Sequence, residues 1–150
     1  MSQDSTTGAG TKFGYAVAGV IGVGIIAIGA RFLLDPVAAT AGFGVQPPPV
    51  TDPYLDVKGV RDIGAGLVLL ALLATGRGAQ RRRSVGAAML AACVIPVGDA
   101  AIVLSHGGPA AVAFGVHGAT AAVGIAGAVA LLRGARRAVP ESVRPDEVRV

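Results

Sequence analysis

Five ionisable residues stand in otherwise apolar surroundings, and any chemistry in this chain has to start with them: Arg31, Arg61, Asp62, Asp99 and His117. His117 is the one group among them that takes up or releases a proton near neutral pH. A carboxylate beside it can orient the ring, and a guanidinium can offset negative charge developing on an enol or carbonyl oxygen. Read this way, His117, Asp99 and Asp62 are the candidates for catalysis, and Arg31 and Arg61 are the candidates for binding. Metal chemistry finds little support, because His117 and Asp99 offer two ligands where a closed site usually wants four. His117 could serve as a haem axial ligand, yet no other feature points to haem, and no cofactor is expected. Neither Ser-x-x-Lys nor Gly-x-Ser-x-Gly occurs, and no glycine-rich phosphate loop follows a strand.

The elements that carry these residues are apolar. The 150-residue chain is 53% hydrophobic and only 15% charged, with a mean hydropathy of +0.66. A soluble domain usually carries about 25% charge. The net charge of +4 does not indicate nucleic acid, since the basic residues abut apolar stretches without aromatic interleaving. Cys93, the single cysteine, excludes an internal disulfide and reads as a small buried side chain.

Four spans are predicted, near 13–34, 58–76, 85–104 and 109–132, within a membrane domain of residues 13–134 flanked by disordered tails at 1–12 and 135–150. Asp35-Pro36 stops the first span. A signal peptide is the rival reading of that span, but its n-region offers only Lys12 and Arg31 interrupts the approach to the small residues that follow. The linker from Asp35 to Pro53, with its run of prolines, is expected to be a stiff extended cap. Pro96 should kink the third span, and "SHGGP" should join the third and fourth as an antiparallel hairpin.

The second span is the problematic one. Ile63 to Thr75 gives only 13 uncharged residues. To cross, the helix must begin near Lys58 and draw Arg61 and Asp62 into the membrane, at a cost of about 2.5 to 3.5 kcal/mol per charge at the bilayer centre and less near the interface. Lys58 and Asp56 are expected to snorkel outward. Arg77, Arg81, Arg82 and Arg83 form one basic cluster, and Arg133, Arg136 and Arg137 form another two spans later. Both therefore lie on one face, the cytoplasmic one by the positive-inside rule, with anionic lipid as a secondary contact. The resulting expectation is an all-α integral membrane four-helix bundle with both termini cytoplasmic, multi-pass in the cell membrane.

This topology puts Arg31, Arg61, Asp62, Asp99 and His117 at about 5 to 12 Å from the outer ends of their helices, at about 1.5 Å of rise per residue. Arg61 and Asp62 point about 100° apart, so each should seek a partner on another helix. The expected pairs are Arg61 with Asp99 and Arg31 with Asp62. Gly64 and Gly66 after the charged pair, and Gly115 and Gly118 around His117, suit close helix packing. The layer admits two readings: a lock that sets helix register, or a polar pocket open to a lipophilic small molecule.

Particular stretches carry a family likeness. "RFLLDP" followed by "GFGV", then "YLDVKGVRDIGAGL", "PVGDAAIV" and a lone histidine in the last span, resemble a bacterial and fungal family of small four-helix membrane proteins of unknown function, DoxX-like in architecture. The likeness covers roughly Ala30 to Leu132. It implies a four-helix bundle with Gly59, Arg61, Asp62, Asp99 and His117 as the matching polar positions. By analogy with related-looking membrane proteins, it allows isomerisation, cyclisation or cofactor-free oxidation of a lipophilic compound. A structural or accessory subunit is the alternative, and a small transporter comes third, because the cytoplasmic half has no matching chain of polar groups. Expected partners are the bilayer, a lipophilic small molecule and further copies of the chain, with no nucleic acid.

Overall fold

A computed structural model describes residues 3–47 and 52–137. The expected C-terminal tail beyond Arg137 and the prolines at 48 and 49 lie outside the described residues. Everything regular among the described residues is helical. Helix α1 runs Gln3–Leu34, so the segment from Gln3 to Lys12, expected to be a tail, is helical. Asp35 ends it and caps the next helix, accepting a hydrogen bond from the Ala38 backbone N–H at 3.1 Å.

Helix α2, Pro36–Phe43, corrects the expectation of an extended cap. Asp35 as N-cap, Pro36 in the first turn and Gly44 after the end are the sequence signals of a short helix. Gly44 has φ 92°, a left-handed conformation that a side chain would strain, and a Cβ there would also press on Val103 and Val112. The loop leaving α2 is thereby seated on the turn at Gly107 and Gly108.

Helix α3 covers Pro53–Thr75 and starts five residues before the expected span. Asp52 accepts from the Tyr54 N–H at 2.9 Å, and Pro53 supplies a helical φ with no N–H to satisfy. Asp52→Ala is expected to cost about 1 kcal/mol, measured by denaturant titration in mixed micelles.

Helices α4, Gly78–Ala92, and α5, Val94–Ser105, form one rod interrupted at Cys93. The break agrees with the kink expected from Pro96, because the proline ring clashes with the carbonyl four residues earlier, that of Ala92, where α4 ends. The turn at His106 and Gly107, with φ 72° at Gly107, reverses the chain as "SHGGP" predicts. Three residues of α6, Ala110–Val112, lead into a π-helical turn, Ala113–Gly118, and then α7, Ala119–Arg137.

Three described stretches are long and apolar enough to cross a membrane: Gly8–Leu34, Gly78–Ser105 and Ala110–Arg137. Helix α3 is not one of them, since Asp56, Lys58, Arg61 and Asp62 crowd its first half. Helix α1 packs along both α3 and α7, and α7 also packs along α4. Val17, Ala18, Leu69, Val85, Met89, Ala128 and Leu131 form the apolar core where these four helices meet. The outward faces stay apolar, with Val20, Val60, Val68, Val94 and Phe114 all exposed. An apolar exterior over a small-residue interior suits lipid as solvent.

The α1–α3 seam is built of glycine. Gly22 and Gly29 on α1 face Gly66 and Gly59 on α3, so close that a Cβ on Gly29 would lie 2.5 Å from the Gly59 carbonyl oxygen. Each pair is seven residues apart, two helical turns, which keeps both contacts on one line.

Candidate functional site

Polar residues of α3, α5 and the π-helical turn gather around two phenylalanines. Phe32 ends the buried face of α1 and is 2% exposed; Phe43 is the last residue of α2 and meets it edge-on at 5.9 Å between ring centroids. Lys58 on α3 places its Nζ 4.9 Å from the Phe32 centroid and 4.7 Å from the Phe43 centroid, within the range of cation–π attraction. The same ammonium donates to Asp62 Oδ2 at 2.8 Å. Lysine and aspartate four residues apart lie on one helix face, and Asp62 is 8% exposed, so its charge is compensated within α3 itself.

This arrangement corrects the expected pairs. Asp62 takes Lys58 in place of Arg31, and Lys58 turns inward where snorkelling was expected. Arg31 and Arg61 are exposed, and among the described residues neither forms an ion pair with Asp62 or Asp99. The rotation of α3 explains it, since the glycine seam turns Gly59, Asp62 and Gly66 inward and carries Arg61 outward.

His117 is 5% exposed and sits on the π-helical turn, whose wider winding lets one side chain depart from the regular α-helical register. Its ring lies 4.4 Å from the Phe43 ring between centroids, and Nε2 is 2.9 Å from the Phe43 carbonyl oxygen. A carbonyl only accepts, so Nε2 carries the hydrogen and donates it, closing the C-terminal end of α2. Nδ1 then faces Asp99 Oδ2 at 3.9 Å, within ion-pair range and too far for a direct hydrogen bond. Asp99 also lies within electrostatic reach of Lys58 and Asp62. Asp99 and His117 are brought within ion-pair range, and Asp62 lies against Lys58, which stands in the place assigned to the arginines.

Lys58 and Phe43 are the members of the cluster that reading the sequence missed. The i,i+4 spacing of Lys58 and Asp62 was the available signal. Nothing in the sequence announces the π turn.

A cleft of about 340 Å³ lies nearby, between the loop after α2 and the α5–α6 turn, lined by residues that include Gln46, Pro47, His106 and Gly108. None of Arg31, Arg61, Asp62, Asp99 or His117 lines it. His106 is exposed at its edge, as expected for a turn residue. Cys93 is buried, its thiol directed at the Ala121 carbonyl at 3.8 Å, in keeping with a packing role. Among the described residues no three of His, Cys, Asp and Glu form a metal-binding group.

The all-helical architecture of the described residues and the three stretches able to cross a membrane are compatible with a multi-pass membrane protein. The chain belongs to the family described as Domain of unknown function (DUF4267), which matches residues 22–138 and so includes every residue of the cluster. No curated protein and no solved structure matches it. Membership in a family of unknown function agrees with that one part of the likeness read from the sequence, its DoxX-like architecture and Gly-Val-Arg-Asp motif resting on the likeness alone; the family carries no reaction with it.

Proposed function

We propose that this is a multi-pass membrane protein, a four-helix bundle of DoxX-like architecture with both termini cytoplasmic, that moves a proton on a lipophilic carbonyl compound near the outer face. Helix α3 is the fourth crossing, its inward-facing charges neutralised as the Lys58–Asp62 pair and screened by two aromatic rings. The observation that carries the chemistry is the division of labour on His117: Nε2–H is spent on the Phe43 carbonyl, leaving Nδ1 as the basic atom beside Asp99. Nδ1 removes a proton from carbon next to a carbonyl and returns it to another carbon, so the reaction is an isomerisation with no net change in atoms or electrons. Asp99 offsets the imidazolium formed in between, and Lys58, the cation of the cluster, offsets charge on the substrate oxygen.

His117→Gln separates this from a purely structural role. The glutamine amide can still donate to the Phe43 carbonyl but has no basic atom in place of Nδ1. Membranes holding the protein, incubated in D2O with a lipophilic extract of the cells that make it, are expected to introduce solvent deuterium into an extract component. H117Q should slow that exchange on the order of 100-fold. No exchange with the wild-type chain, or equal exchange with H117Q, contradicts the proposal.

A non-catalytic accessory subunit is the second reading, favoured by one observation: Asp62 and His117 each have a partner inside the fold. It requires H117Q and wild type to behave alike in that assay.

A further inference from the structure

We infer that the cationic end of the molecule is a docking surface for the headgroups of anionic phospholipids, with Arg83, Arg133 and Arg136 as the contacts. The start of α1, the start of α4 and the end of α7 meet there. Arg82 Nη1 donates to the Gly134 carbonyl at 2.8 Å, which places the first turns of α4 against the last turns of α7 and joins the two arginine clusters into one patch. Arg81 is likewise tied in: its Nε donates to the Tyr15 hydroxyl at 3.2 Å, its guanidinium lies 4.7 Å from the Tyr15 ring centroid, and Nη1 donates to the Leu73 carbonyl at 3.3 Å.

These two arginines are structural, and they hold the patch rigid. Arg83, Arg133 and Arg136 are exposed, as is Arg77. Among the described residues this end carries Lys12 and seven arginines against one acidic residue, Asp4 at the start of α1, whereas the five aspartates from Asp35 to Asp99 all lie in the opposite half. Arg83, Arg133 and Arg136, exposed beside apolar helix faces, match one partner, a phosphate-bearing headgroup whose acyl chains lie along those faces. The inference rests on charge placement and is independent of any reaction at His117.

The test uses the full chain in phosphatidylcholine vesicles carrying spin-labelled phosphatidylglycerol or spin-labelled phosphatidylcholine. The wild-type chain is expected to hold the glycerol lipid at least about five-fold better, the ratio that one arginine near a headgroup supplies. R83Q/R133Q/R136Q is expected to bring the ratio to about one. Equal retention of both lipids by wild type, or an unchanged preference in the variant, overturns the inference. If the triple variant loses its helical circular dichroism, Arg83→Glu alone serves, and a preference it fails to lower overturns the inference equally.

Glu141, Asp146 and Glu147 of the C-terminal segment are the competing occupants. A preference that emerges only in E141Q/D146N/E147Q means the patch is covered by the chain itself and the inference fails. Inorganic phosphate should leave the preference intact; its loss would mean that a free anion is the ligand.

Discussion

Gly59→Leu is expected to lose at least about 3 kcal/mol of stability, the upper range for overpacking a close-packed interior. A Cβ at Gly59 would lie 2.8 Å from the Gly29 carbonyl oxygen and 2.9 Å from the Leu33 side chain, so the first carbon already collides with backbone that cannot rotate away. The helices would have to separate. In lipid, association between helices comes mainly from close van der Waals packing, and separation therefore forfeits the interaction itself. The control is Gly64→Leu one turn on, where an added Cβ meets nothing within 4 Å; it should change stability by less than about 0.5 kcal/mol. Unfolding of both variants by sodium dodecyl sulfate in mixed micelles, followed by circular dichroism, checks the difference. Similar losses at the two positions would mean that leucine weakens α3 by some route other than the seam.

Asp62→Ala is expected to cost about 3 to 5 kcal/mol, because it leaves the Lys58 ammonium between two aromatic rings without its counter-ion. Pairs of this kind cost little to replace together, so K58M/D62L should recover most of the loss. Arg31→Ala and Arg61→Ala should fall within about 0.5 kcal/mol of wild type, since both side chains are exposed. The same micelle titration reads all four. A large loss on removing Arg31, with little on removing Lys58, would restore the pairing that the sequence suggested and reject the Lys58–Asp62 bond.

What could be read from the sequence divides along physical lines. Punctuation was legible: Asp35-Pro36 ended α1, the glycines of "SHGGP" made the turn, and Pro96 broke the third rod one turn ahead of itself. Each acts through its own backbone, independent of what packs nearby. Asp62, Asp99 and His117 could be singled out because apolar surroundings flag every ionisable group. Orientation about the helix axis was not legible. Whether Arg61 or Lys58 faces inward depends on how α3 is turned, and the Gly59–Gly29 and Gly66–Gly22 contacts set that turn from another helix. The π turn at His117 escaped for a related reason, because it adjusts register to tertiary contacts, here Phe43 and Asp99.

A pocket reached from the bilayer requires that α3 cross the membrane with its charged pair inside. Side-specific labelling of single cysteines with a membrane-impermeant maleimide, in intact cells and in a Cys93→Ala background, tests that directly at Lys12→Cys and Gln80→Cys. With α3 as a crossing, both positions lie on the cytoplasmic face and neither reacts until the membrane is opened. If α3 stays on the outer face, α4 starts there too, and Gln80→Cys reacts in intact cells while Lys12→Cys does not; that result would contradict the account.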